Sequence, residues 1–284
     1  PSNSSAASDV YKRQVGDRDL VTKEIAGAVT DSRQVQKDYL FIPIKGARVD
    51  GHDFIPQVFE KGALVVLSDH ALPEETGSYI LVSSTTEAMK KIAAFYRTQL
   101  SCKVVGITGS VGKTSTKEMI ASVLEQRYKV LKTEGNFNNE IGLPLTIFKI
   151  RAKHEVAVLE MGISDFGEMH RLAAMARPDI GVITNIGLCH LENLGTRDGI
   201  LQAKTEMFDH LQVDGTVILN GDDDKLSTKK EVNGKPVIFY GVGADSAFDI
   251  KKDIYATDIE NHGLEGMCAV SYTHLRAHET RGNL

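Results

Sequence analysis

The chain has 284 residues with 25% charged and 42% hydrophobic residues, enough for one large or two modest globular cores. Its net charge of −5 gives no electrostatic case for a nucleic-acid partner. No apolar run approaches the ~20 residues of a membrane span, and three cysteines without paired or metal-ligand spacing (Cys102, Cys189, Cys268) fit a reducing cytoplasm.

The two ends read as foreign. Residues 9–14 are DVYKRQ and residues 270–275 are VSYTHL. One DNA word, GAT-GTG-TAT-AAG-AGA-CAG, encodes the first. Its reverse complement, shifted in frame, encodes Val-Ser-Tyr-Thr-His and begins a Leu codon. Both ends resemble translated adapter from a transposase-made sequencing library. Residues 1–14 and 269–284 are therefore set aside as adapter-derived and kept out of fold reasoning. An absent signal peptide then carries no information.

From Val15 to about Ser84 the pattern is one unit of short strands and turns. Residues 28–33 (AVTDSR) look like a strand end. Residues 39–44 (YLFIPI) read as a strand broken late by proline, hence an edge strand. Lys45-Gly46 and Asp50-Gly51-His52 are turn chemistry. A short helix over 54–61 and a buried strand over 63–67 follow, and 85–100 form an amphipathic helix leading into the next unit.

From Cys102 onward the pattern is doubly wound α/β. Strands are expected at 103–108, 156–161, 180–185, 216–220 and 236–240, and helices at 116–127, 168–176, 199–211 and 224–232. Near-continuous apolar strands alternating with helices imply a mostly parallel sheet covered on both faces. Ligands bind such sheets beyond the carboxyl ends of the strands.

The most informative stretch is KVVGITGSVGKTSTKE, residues 103–118. An apolar strand leads into Gly109-Ser110-Val111-Gly112-Lys113-Thr114-Ser115, then into a helix with Met119, Ile120, Val123 and Leu124 at helical spacing. Strand, glycine-rich turn and helix make a phosphate-binding loop. Lys113 is placed to reach the β/γ-phosphates of a nucleoside triphosphate and the Thr114 hydroxyl to bind Mg²⁺. The general pattern wants glycine where Ile107 stands, with Gly106 one place off, so the loop is a subtype. Glu160 ends the apolar run VAVLE, where a carboxylate is costly unless it faces a cleft, a cation or a metal. A solvated strand-end glutamate fits equally. His190 by itself is a loop histidine and Lys204 a surface lysine beside a glutamate. The stretch TEGNFNNEIGLP, with Asn138 and Asn139, suits hydrogen bonding to sugar, base and phosphate, or a turn-rich connector.

In chain order, the pieces TDSRQV, YLFIPIKG, VDGHDFI, GITGSVGKTSTKEMI, TEGNFNNEIGLPLTIF, AVLEMGISDFGEMHRLAAMARPDIGVITNIGLCHLENLG, QAKTE and LNGDDD resemble the Mur ligase family. They span nearly all of residues 15–268. The resemblance implies an ATP-dependent carboxylate–amine ligase acting through an acyl phosphate in the cytoplasm, in peptidoglycan precursor synthesis. GN-x-NNEIG-x-P and EMG-x-x-x-x-GE favour the member that joins D-alanyl-D-alanine to UDP-N-acetylmuramoyl-tripeptide. It implies a small α/β substrate-binding domain at 15–84 and an incomplete ATP-binding domain at 85–268, a third, Rossmann-like domain being absent, and a monomer. It places Gly109, Ser110, Val111, Gly112, Lys113, Thr114, Ser115, Asn138 and Asn139 on ATP. Thr114, Glu160, His190 and Lys204 fall at one or two Mg²⁺ ions, with Lys204 as a carbamate. Lys113, Glu160, His190 and Lys204 carry the catalytic roles, and Ser32, Lys45, Gly46, Asp50, Gly51 and His52 hold the UDP portion. Without the third domain the chain as written is expected to show no ligase turnover. A sibling Mur ligase, a folylpolyglutamate synthase-like ligase, a general P-loop NTPase and a non-catalytic binding module are the competing readings.

Overall fold

The computed structural model describes residues 13–16, 20, 22–73, 76–263 and 266–273. The rest of the two ends read as adapter-derived lies outside the described residues.

The chain forms two compact units, which part after Leu100; residues 144–151 return to the first. The strand-and-turn pattern and the family resemblance placed the joint near residue 84. The helix Thr85–Thr98 groups with the first unit for visible reasons. The Thr85 hydroxyl donates to the Pro43 carbonyl at 2.6 Å, Tyr96 Oη donates to the Ile150 carbonyl at 2.6 Å, and Ala88, Met89 and Ala93 are buried. Ser84 caps the helix by accepting from the Glu87 N–H.

The first unit carries a five-stranded sheet in the order β1-β5-β4-β3-β2, namely Arg13–Val15, Tyr79–Leu81, Val65–Ser68, Tyr39–Phe41 and Gly27–Val29. All pairs are parallel except β1 with β5. Its core is Val35, Phe41, Ile55, Val58, Ala63, Val66 and Tyr79. The strand expected at an edge, β3, is internal. It ends at Phe41, so Pro43 lies past the ladder and removes no hydrogen bond from it.

The second unit carries the order β14-β13-β12-β10-β9-β6-β8-β7, with β11 (Glu231–Val232) added on β12. These are Met267–Thr273, Ile254–Asn261, Lys235–Val242, Thr216–Asn220, Ile180–Ile183, Lys103–Thr108, Val156–Glu160 and Val130–Lys132. Strands β7 to β10, β12 and β13 run parallel with β6; β11 and β14 are antiparallel to their neighbours. Val105 and Ile107 pack with Ala121, Val156, Val158 and Val182 on one face of β6. Gly106 necessarily points to the other face, where a Cβ would meet Met161 and Met207. Both faces of the central strand are covered, and Gly106 is a packing glycine outside the phosphate loop.

Some expected elements differ. The helix after the loop is Lys113–Leu124, and its buried face is Lys117, Ala121 and the partly buried Ile120 and Leu124; Met119 and Val123 face outward. Residues 199–211 divide into the helix Arg197–Thr205 and a 3-10 turn Glu206–His210. Residues 224–232 hold no α-helix but a 3-10 turn at Leu226–Thr228 and then β11, because Asp223 Oδ1 accepts from the N–H groups of Lys225 and Leu226 and ties the chain into a turn. β1 and β14 lie at sheet edges and contain residues read as adapter-derived. An edge pairs through its backbone, which nearly any sequence supplies.

Candidate functional site

The carboxyl ends of β6, β8, β9 and β10 lie at one end of the parallel sheet, and each contributes to one cluster. Strand β6 delivers residues 109–112 to the start of the helix Lys113–Leu124. The Ser110 N–H donates to the Asn185 carbonyl and the Val111 N–H to Asn185 Oδ1, both at 3.0 Å. Asn185 Nδ2 and the Thr184 hydroxyl donate back to the Val111 carbonyl at 2.9 and 2.7 Å, and the Gly187 N–H donates to Ser110 Oγ at 2.8 Å. The front of the loop is thereby fastened to the end of β9. The N–H groups of Gly112, Lys113, Thr114 and Ser115 find no acceptor among the described residues, as expected for a first helical turn. Those four donors, at the positive end of the helix, are the ones available to phosphate oxygens. Lys113 Nζ curls back to donate to the Gly109 carbonyl at 2.8 Å, which holds its charge over the loop.

Glu160 is 2% exposed at the end of β8. The Thr114 hydroxyl donates to its Oε2 at 3.0 Å and the Asn138 amide to its Oε1 at 2.9 Å. Its own N–H donates to Thr133 Oγ1, and the Gly162 N–H to the Asn138 carbonyl. The structure thus joins Thr114, Asn138 and Glu160 and removes the solvated-glutamate alternative. A hydroxyl and a carboxylate beside a phosphate loop are hard oxygen donors of the kind Mg²⁺ takes.

Lys204 is 1% exposed, and its ammonium has no hydrogen bond or ion pair among the described residues. Burial pushes its pKa down to about 8. Lys113 pushes the same way and Cys189 opposes. Lys204 is therefore grouped with Lys113 and the 189–190 loop, and it is no surface lysine. The unfolded chain keeps this proton up to about pH 10.4, so between pH 8 and that value it binds more protons than the folded chain. Stability contributed by this site must then rise with pH. Wild type should gain about 2 kcal/mol relative to Lys204→Met between pH 7.5 and 9.5, measured as the difference in urea unfolding free energy. A pH-independent difference would mean that Lys204 does not titrate in this range.

The remaining expected residues are placed less directly. His190 is exposed in left-handed backbone before the short helix Leu191–Leu194, and its ring has no partner among the described residues. Asn139 Oδ1 accepts from the N–H groups of Ile141 and Gly142, so its side chain serves the local turn. In the first unit, Lys45, Gly46, Asp50, Gly51 and His52 share one turn. Lys45 and Asp50 pair as an isolated antiparallel backbone bridge, the Gly51 N–H donates to the Ile44 carbonyl, and Asp50 Oδ1 caps the His52 N–H. Ser32 is buried in the separate Asp31-Ser32-Arg33 turn, its carbonyl accepting from Lys61 Nζ at 2.8 Å, while Arg33 holds Asp31 down to about 2.

Several functional supports escaped the sequence reading. Thr184, Asn185 and Thr133 position the loop and Glu160. Asn220 Nδ2 donates to the Thr184 carbonyl, Asp223 Oδ2 accepts from the Ile186 N–H, and Arg197 Nε donates to the Ile186 carbonyl while its guanidinium pairs with Asp224. The segments VITNIG and LNGDDD were visible, but polar residues just past a strand have no spacing that announces a tertiary partner.

The Mur ligase middle domain profile matches residues 107–280, and the profile described as "Mur ligase family, catalytic domain" matches residues 24–97. A UDP-N-acetylmuramoyl-tripeptide–D-alanyl-D-alanine ligase of Bacillus subtilis is 44% identical over 229 residues, covering 80% of this chain and 50% of the relative. A crystal structure of MurF from Acinetobacter baumannii is similar at a TM-score of 0.80 and 30% identity, covering 96% of this chain and 61% of that one. A MurF ligase from Thermotoga maritima in complex with ADP gives a TM-score of 0.76 and 31% identity, covering 90% and 57%. The chain spans about half the length of the curated relatives it matches.

Proposed function

The chain belongs to the Mur ligase family, and on that premise we propose that it is part of an ATP-dependent ligase joining D-alanyl-D-alanine to UDP-N-acetylmuramoyl-tripeptide. The supporting observation is the convergence of Lys113, the Thr114–Glu160–Asn138 chain and the buried Lys204 at one end of the sheet. A carboxylate is a poor acyl donor at neutral pH. In the proposed reaction a terminal carboxylate oxygen of the tripeptide attacks the γ-phosphorus of ATP, and the bond to ADP breaks. The dipeptide amine then attacks the acyl carbon, loses a proton and expels phosphate. Two anions must meet first, so the free N–H groups of the loop and the Lys113 ammonium hold the phosphates and offset their charge.

Thr114 and Glu160 would hold a first Mg²⁺, and Lys204 with His190 a second. Magnesium, when bound, screens the phosphate charge and polarises the transferring phosphoryl group. A cationic lysine is no metal ligand. A lysine whose proton leaves near pH 8 has a free amine able to take up CO₂, and the resulting carbamate offers oxygen donors. ¹³C-bicarbonate should give a carbamate resonance that strengthens from pH 7 to 9 and is missing in Lys204→Met; an unchanged spectrum in that variant would remove the modification. The UDP portion is assigned to Ser32, Lys45, Gly46, Asp50, Gly51 and His52 in the first unit, and the enzyme to the cytoplasm as a monomer. Among the described residues no helix is long and apolar enough to cross a membrane.

Acceptor choice tests the reading. The complete open reading frame that carries this chain, given ATP, Mg²⁺ and UDP-N-acetylmuramoyl-tripeptide, should form a product two D-alanine residues heavier by mass spectrometry. Product formation with a single amino acid instead would move the chain to a sibling ligase.

A further inference from the structure

Away from the phosphate loop, the carboxyl ends of the first unit's strands bring His52, which the ligase reading assigns to the UDP portion, together with Asp69 and His70, to which that reading gives no role. His52 sits in the 3-10 turn Gly51–Phe54, and its side chain is only 6% exposed. Its Nδ1 lies 2.7 Å from Asp50 Oδ1. A carboxylate can only accept, so Nδ1 carries a proton and Nε2 is the nitrogen left to face the cluster. That Nε2 is buried and makes no hydrogen bond among the described residues. It faces Asp69 Oδ1 at 3.4 Å, and the His70 ring lies 4.8 Å away, centroid to centroid. A ring nitrogen and a half-exposed carboxylate oxygen at this separation are held together by a shared proton or by a metal ion between them.

Asp69 and His70 are held for this arrangement by the end of β4. Ser68 is fully buried; its hydroxyl donates to the His70 carbonyl at 2.6 Å and accepts from the His70 N–H at 3.3 Å. His70 Nδ1 lies 2.8 Å from Asp69 Oδ1. One ligand atom each from His52, Asp69 and His70 falls within 4.8 Å of the others. Bonds of about 2.0–2.1 Å to zinc place neighbouring tetrahedral ligands about 3.3 Å apart, the separation His52 Nε2 and Asp69 Oδ1 already have. The carboxylate of Asp50 behind the first histidine is the outer partner that metal-binding histidines ordinarily have.

We propose that His52, Asp69 and His70 form a binding site for a divalent transition-metal ion of the zinc class, with Asp50 orienting His52 and a fourth position open to water. Two imidazoles and a carboxylate suit Zn²⁺ or Co²⁺ and are a poor set for Mg²⁺. The site lies within the first unit and shares Asp50 and His52 with the UDP assignment, but its titration uses no ligase substrate, so its outcome is read apart from that assignment.

Titration of the tag-free, EDTA-treated chain with Zn²⁺ by calorimetry, and with Co²⁺ by visible absorption, tests it. The expected result is one ion per chain at micromolar or tighter affinity. His70→Ala and Asp69→Asn, both at exposed positions, should each weaken binding at least tenfold, and Asp50→Asn about tenfold. Cys189→Ser and His170→Ala should bind like wild type. Circular dichroism confirms that each variant is folded. Absence of one-to-one binding, or binding that survives both His70→Ala and Asp69→Asn, would overturn the proposal.

Discussion

Replacing Lys113 with Met should lower ATP-dependent turnover of the complete gene product roughly a hundred- to a thousand-fold while leaving the fold intact. Lys113 is half-buried and its ammonium hydrogen-bonds to the Gly109 and Ser110 carbonyls, with no ion pair among the described residues, so its removal leaves no buried charge unpaired there. Its thermal midpoint should hardly move. The positive charge it supplies is needed most as the phosphoryl group passes between two anions, so the loss should fall on kcat more than on nucleotide affinity. A Lys113→Met enzyme with near-normal kcat would mean that the loop does not hold the reacting phosphate.

Gly109→Ala should be among the more damaging small substitutions at the phosphate loop. Gly109 has φ +154, and a Cβ there would stand 1.9 Å from Thr184 Oγ1. The Thr184 hydroxyl must then move and give up its hydrogen bond to the Val111 carbonyl. That contact is one of the fastenings that fix the loop to β9. A destabilisation of about 2–4 kcal/mol is expected, together with loss of nucleotide binding. Thr184→Ala removes the 1.9 Å contact and leaves its Cβ and N at 3.1 and 3.2 Å, so the double variant should be more stable than Gly109→Ala alone, a coupling that a double-mutant cycle reads directly. Additive costs would show that the two residues are not in contact.

Much of the second unit was legible because its strands are continuous apolar runs that end in motif residues. KVVGIT and VAVLE could hardly be anything but buried strands, and their ends placed Lys113, Thr114 and Glu160 together. The cluster around Asn185 was less legible. Its amide serves as acceptor and donor for a loop more than seventy residues earlier, and local sequence carries no trace of that pairing. Lys204 shows the same limit. In sequence it is a lysine beside a glutamate on a helix, and only its burial near Lys113 distinguishes it. The edge assignment for residues 39–44 failed because the proline stands two residues beyond the last ladder pair. In the first unit, Asp50-Gly51-His52 read as a turn. That its histidine meets Asp69 and His70 follows from parallel strands delivering two loops to one sheet end, which no spacing rule encodes.

The most direct test of the ligase account is phosphate release from ATP and Mg²⁺ by the complete open reading frame that carries this chain, with each substrate omitted in turn. The account predicts release that requires both UDP-N-acetylmuramoyl-tripeptide and D-alanyl-D-alanine and disappears in Lys113→Met. Equal release with neither substrate present would contradict it and return the chain to the general P-loop NTPases.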